Sequence, residues 1–199
     1  MAKRRKNDPR ERFSYLRELV TEFQDTSSDG IIYAFICAFL NHAKEQVLAN
    51  LANFAYDPEN YIHFNELNIV DLFLDQLCCN NDTLVEFAVG GICNLALDKN
   101  FKQLIHKRGG VSKVITCLSH KNEETVMSAT TALMYLVCPE SKADIVTAPV
   151  IDFMLRCKGS SNPRLANLAS VFLQDYCKYE EIQNAKNLAS TYQEQSSVL

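Results

Sequence analysis

The same residue pattern returns at a fixed interval along this chain, and that interval limits what it can fold into. Asn53-Phe54-Ala55-Tyr56-Asp57 is matched by Asn94-Leu95-Ala96-Leu97-Asp98, an offset of 41. The offset holds downstream, where Val70, Phe73, Leu74 and Leu77 fall on Val111, Val114, Ile115 and Leu118. A third copy sets Asn122 on Asn81, Ala129 on Ala88, Leu133 on Ile92 and Leu136 on Leu95. A fourth, partial copy opens at Asn162, with Ala169 and Leu173 in register 40 residues on. A unit of this size cannot bury its apolar face alone, so copies must stack.

Each copy reads as helix. In the second, Leu84, Phe87, Ala88, Gly91, Ile92 and Leu95 lie on one stripe with helical spacing. Asn81-Asp82, Asn122 and Asn162-Pro163 supply cap and first-turn signals for the long helix of each copy. Ala88 and Gly91, matched by Ala129 and Ala132, allow close backbone approach, and Gly109-Gly110 offers left-handed freedom between helices. Six Gly and five Pro in 199 residues fit a helical fold better than a turn-rich β fold.

The order within a copy resembles the armadillo repeat: a long helix ending in Asn-Leu-Ala, a short helix, a Gly-Gly step, and an apolar helix ending in Leu. The stretch Glu86 to Leu118 carries it most fully. The resemblance implies an all-α fold, a short right-handed armadillo-repeat superhelix of about three to four repeats with an N-terminal helix. The expected plan is a basic N-terminal tail over 1–8 and one armadillo domain over 9–178. Its repeats lie near 43–80, 81–121, 122–160 and 161–178. A polar C-terminal tail follows over 179–199, expected to begin as a helix and fray.

Chemistry-bearing motifs are absent from this reading. There is no Gly-rich phosphate loop, no GxSxG, no HExxH, and no His beside a plausible nucleophile in the sequence, so no enzyme is expected. His42, His63, His106 and His120 are scattered, and the eight Cys form no CxxC pair, so neither a metal site nor a cofactor is expected. The cysteines read as buried thiols of a reducing compartment. The net charge of −4 argues against bulk binding to a nucleic-acid backbone. Lys3-Arg4-Arg5-Lys6 reads as a nuclear localisation signal, a phosphate-touching tail, or a solvated terminus.

The stretches Val20–Gln24, Ala43–Tyr61, Val70–Asp75, Glu124–Leu136 and Arg164–Cys177 resemble one branch of the armadillo repeat family, over most of residues 9–178. That resemblance implies a non-catalytic nuclear scaffold of the minor spliceosome, acting in pre-mRNA splicing. Its implied partner is an RRM-type RNA-binding protein, and the pair would support the minor-class U6-type small nuclear RNA. RNA contact would be mostly indirect, and the cytoplasm is a second location. In armadillo proteins, Asn on the helix that lines the concave groove can bind the backbone of an extended peptide, its amide offering donor and acceptor. The matching positions here are Asn53, Asn94, Tyr135 and Asp175, with Glu86 two turns before Asn94. The plainer reading is that these residues cap or solvate helices. The chain has no Trp, so it lacks the Trp–Asn ladder of importin-α-type receptors. The alternative function is a cytoplasmic or membrane-linked armadillo adaptor for signalling or trafficking, with Ile31–Leu40 as its anchor.

One segment breaks the repeat. Ile31 to Leu40 is a run of ten apolar residues, about half of what a bilayer span requires, and Asn41, His42, Lys44 and Glu45 follow at once. The register starts the first long helix near Ala43, so residues 30–42 read as an insertion at its head. With neither Pro nor Gly from Ile31 to Asp57, the insertion is expected to fuse with that helix into one element about 25 residues long. Its apolar surface is expected to pack on a helix over Phe13–Phe23, or else to stay partly exposed as an aggregation hazard.

Overall fold

The structure is a computed structural model that describes residues 9–25 and 34–196, with side chains described over 11–24 and 42–191. All regular elements among the described residues are helices. They are α1 (Pro9–Asp25), α2 (Ala34–Phe54), α3 (Tyr61–Glu66), α4 (Ile69–Gln76), α5 (Asp82–Leu95), α6 (Lys99–Lys107), α7 (Gly110–Thr116), α8 (Glu123–Leu136), α9 (Lys142–Ile145), α10 (Ala148–Cys157), α11 (Pro163–Tyr176) and α12 (Tyr179–Ser196). The basic run at 3–6 lies outside the described residues. The chain divides into two compact units, residues 1–95 and 96–199.

The repeat shows in the long helices. α5, α8 and α11 are each 14 residues long. Each opens on the Asn that the sequence marks as its cap. Asn81 Oδ1 accepts from Thr83 and Leu84 N–H, Asn122 Oδ1 from Glu124 N–H, and Asn162 Oδ1 from Arg164 and Leu165 N–H. The Asp that ends each "NxAxD" stretch is also a cap. Asp57 takes Glu59 N–H at the head of a 3₁₀ turn, and Asp98 takes Asn100 and Phe101 N–H at the head of α6.

In the N-terminal unit α1 packs on α2, and α2 and α4 pack on α5. Leu16, Leu19, Val20 and Phe23 form the buried stripe of α1. Tyr15 meets Phe54 edge-on at 5.9 Å, and Lys44 Nζ stands 5.5 Å over the Phe23 ring. Helix α2 is continuous from Ala34, so residues 34–42 are fused with the helix that the repeat register starts near Ala43. Residues 30–33, and the side chains of the apolar run up to Asn41, lie outside the described residues. No described helix is long and apolar enough to cross a membrane.

Between α4 and α5 the contact is close. Gly91, buried in α5, faces the ring of Phe73, which is itself fully buried. The chain enters α4 through Asn68 at φ 51° and enters α7 through Gly109 at φ 67°, positions one repeat offset apart. The third copy enters α10 differently, through extended Thr147 and Pro149 in the first turn.

In the C-terminal unit α8 packs on α7 and α11, and α10 packs on α11 and α12. The polar segment after Lys178 is helical as far as Ser196. Ile182, Ala185 and Ala189 form a stripe of helical spacing along its first part, with Ala185 buried.

Candidate functional site

Three of the five predicted groove residues belong to the N-terminal unit. Asn53 ends α2 with its side chain exposed, and Asn94 ends α5 half-buried. Asn94 donates an Nδ2 hydrogen to the carbonyl of Ala52 at 3.0 Å, which sets it beside Asn53. That bond joins two successive long helices, so one of the two amide hydrogens is committed inside the fold. Glu86, two turns earlier on α5, is half-buried and engaged within the fold.

The other two lie in the C-terminal unit. Tyr135 on α8 is 38% exposed, and Asp175 on α11 is exposed. They share a neighbourhood with Tyr176, whose phenol is pushed up by burial and then by the charges of Asp175 and Tyr135. Tyr176 also stacks at a tilt on Phe172, 5.7 Å away.

The capping Asn residues do more than start helices. Asn81 donates Nδ2–H to Glu45 Oε1 at 2.9 Å, and Asn162 donates to Glu123 Oε2 at 2.7 Å. Each therefore ties its own copy to an acid of the preceding long helix. Arg164 adds an ion pair to Glu124 at 2.8 Å. The capping function of these Asn was legible in sequence; the link to the preceding copy was not.

Packing brings one histidine close to a cysteine. His106 Nε2 lies 3.9 Å from Cys138 Sγ, two residues far apart in sequence. They line a cavity of about 830 Å3 in the C-terminal unit, with Glu140, Ser141 and Asp144. The geometry does not make a catalytic dyad. Nε2 is 2.9 Å from the Leu136 carbonyl, which only accepts, so Nε2 carries the proton and has no lone pair to take one from the thiol. Ser141 Oγ–H donates to the same carbonyl at 2.9 Å and accepts from Cys138 N–H at 3.0 Å. The cluster thus caps the C-terminus of α8. The exposed Glu140 carboxyl is held below its ordinary value by the Cys138 hydrogen bond, by a backbone hydrogen bond and by His106.

The cysteines are more varied than the expectation of buried thiols. All those described are free; Cys117 and Cys157 are buried, while Cys78, beyond the end of α4, is exposed. Burial pushes the thiols of Cys93 and Cys177 up to about 11, which keeps them protonated at neutral pH. Among the described residues no cluster of His, Cys, Asp and Glu could hold a metal ion.

Sequence reasoning missed one surface. Tyr15, Tyr56 and Ile62 are 47%, 73% and 66% exposed. Helical periodicity alone places Tyr15 next to the apolar stripe of α1 and gives no sign that it faces outward.

No protein-family model matches the chain. It is 47% identical over 188 residues to armadillo repeat-containing protein 7 of Mus musculus, covering 93% of this chain and 89% of the relative. Its fold is similar to that of a designed armadillo repeat protein, with a TM-score of 0.66 at 15% identity over 92% of this chain and 84% of that one. A second neighbour, a computationally designed armadillo repeat protein for modular peptide recognition, has a TM-score of 0.66 at 17% identity, covering 96% of this chain and 89% of that one. The likeness to the mouse relative extends over nearly the whole of both sequences, and the chain belongs to the armadillo repeat-containing protein 7 family.

Proposed function

We propose that this chain is a non-catalytic armadillo scaffold whose work is to bind a protein partner. We further propose that it acts in the nucleus, in pre-mRNA splicing, as a minor-spliceosome component paired with an RRM-type RNA-binding protein. The observation that carries the reading is the near full-length similarity to the mouse relative, and the most diagnostic stretch of the resemblance is Ala43–Pro58. The net charge of −4 supports a mainly indirect contact with RNA, since direct backbone binding draws its affinity from a basic face. The partner supplies the RNA-reading surface and the scaffold holds it.

Affinity purification of the full chain from nuclear extract, followed by mass spectrometry, tests this. An RRM-type protein and minor-class small nuclear RNA are expected to come down together, and the RNA is expected to be lost when the RRM protein is depleted. Recovery of the RNA with the chain after that depletion would sink the scaffold reading.

A further inference from the structure

In the N-terminal unit, every exposed large hydrophobic side chain among the described residues falls around one ion bridge. Arg12 of α1 is only 21% exposed and pairs with Asp57 at 2.8 Å and with Glu59. Tyr15 lies one helical turn beyond Arg12, so the two share a face of α1. Tyr56 is the residue before Asp57. Ile62 is one turn beyond Glu59, on the helical segment that begins with the 3₁₀ turn Pro58–Asn60 and continues as α3. The ring contacts of Tyr15 with Phe54 and of Phe13 with His63, at 5.1 Å, hold the same three segments together. Tyr15, Tyr56 and Ile62 therefore surround a bridge that fixes α1 against the end of α2 and the start of α3.

Among the described residues, the exposed charge beside these side chains is mostly acidic. Tyr15 is flanked on its own face by exposed Glu11 and Glu18, four residues before and three after. Ile62 has exposed Glu66 four residues on. Arg17 is two residues from Tyr15 and so points to another side of α1. The charge of Arg12 is already shared between two carboxylates, so the rim is acidic.

We propose that Tyr15, Tyr56 and Ile62 form a docking surface for a protein segment that presents an apolar anchor within a lysine- or arginine-rich rim. Tyr and aliphatic anchors held by a rigid frame are what interface centres use, and an acidic rim selects a basic partner. A lysine- or arginine-rich segment of an RNA-binding protein, lying outside its RNA-reading face, fits that description. The choice of occupant rests on the proposed pairing; the surface itself does not.

The test uses full-length chains in nuclear extract with quantitative mass spectrometry. Tyr56→Ser with Ile62→Ser removes two anchors that are mostly in solvent, so melting is expected to be unchanged. Glu11→Lys with Glu66→Lys reverses the rim. Tyr179→Ser with Leu188→Ser changes exposed apolar residues of the C-terminal unit and serves as the control. The RRM-type protein is expected to fall by about tenfold or more with the first two variants and to be kept by the control. With purified partners, association is expected to slow as salt rises for the wild type, and less so for the rim variant. Equal recovery of the RRM-type protein with all chains overturns the surface and leaves the proposed pairing intact. Loss of a different basic protein, with no RRM-type protein on the wild type, overturns the pairing and upholds the surface. A wild-type dimer that the Tyr56→Ser, Ile62→Ser variant makes monomeric would overturn the proposal in favour of a second copy.

Discussion

Gly91→Ala probes how α4 and α5 fit together. A Cβ at Gly91 would lie 2.5, 2.6 and 2.8 Å from Cζ, Cε2 and Cε1 of Phe73. Carbon atoms sit comfortably about 3.5–4.0 Å apart, so the ring has to withdraw by about 1 Å. Phe73 is fully buried, so it can retreat only by displacing its neighbours. Overpacking of this kind costs about 1–3 kcal/mol, while replacing a mid-helix Gly with Ala returns about 0.8–1 kcal/mol. A net loss of about 0–2 kcal/mol follows, or up to roughly 8 °C in Tm for a chain of this size. The next repeat shows the complementary solution, because Val114 and Ala132 stand one offset beyond Phe73 and Gly91. Phe73→Val alone should open a cavity and cost about 2–3 kcal/mol. Combined with Gly91→Ala it should cost less than the sum of the two, by about 1 kcal/mol or more. Urea denaturation followed by circular dichroism measures all four corners of the cycle. Gly91→Ala more stable than wild type, or strict additivity, would refute the packing argument.

Three further outcomes are expected. Gly109→Ala should cost about 1–2 kcal/mol because of the left-handed backbone there, and Gly109→Asn should cost less, since Asn68 holds the matching position; thermal melts compare the two. Thr125→Val should be neutral or stabilising by up to about 1 kcal/mol in the same melts, because the buried Thr125 hydroxyl has no partner among the described residues. The pH effect follows from Cys93, whose thiol is raised by burial from an ordinary 9.0 to about 11. The folded chain holds that proton more tightly than the unfolded chain, so the contribution is complete below about pH 9 and is lost as the pH rises towards about 11. Stability should fall over that window, and fall less in Cys93→Ala.

The repeat was legible because its signals are local. A cap Asn and an apolar stripe each act within a few residues, so their recurrence at one interval shows in the chain itself. The left-handed entry at Gly109 was read from its glycine, while the same geometry at Asn68 was hidden behind a residue that also caps and solvates. The third copy escaped the rule because Pro149 starts α10 without a left-handed residue. Contacts between distant positions stayed hidden for a different reason. The Asn94 bond to Ala52, the His106–Cys138 approach and the Arg12 bridge each join residues that only packing brings together. The outward face of Tyr15 follows from the same packing.

Light scattering after size exclusion tests whether the chain holds a protein partner. The 22.5 kDa chain is mixed with the RRM-type protein recovered from nuclear extract, with and without minor-class small nuclear RNA. One species at the summed mass of the two proteins is expected, with RNA joining only when the RRM-type protein is present. A chain that stays at its own mass beside that protein, or that takes up the RNA alone with a steep salt dependence, would contradict it.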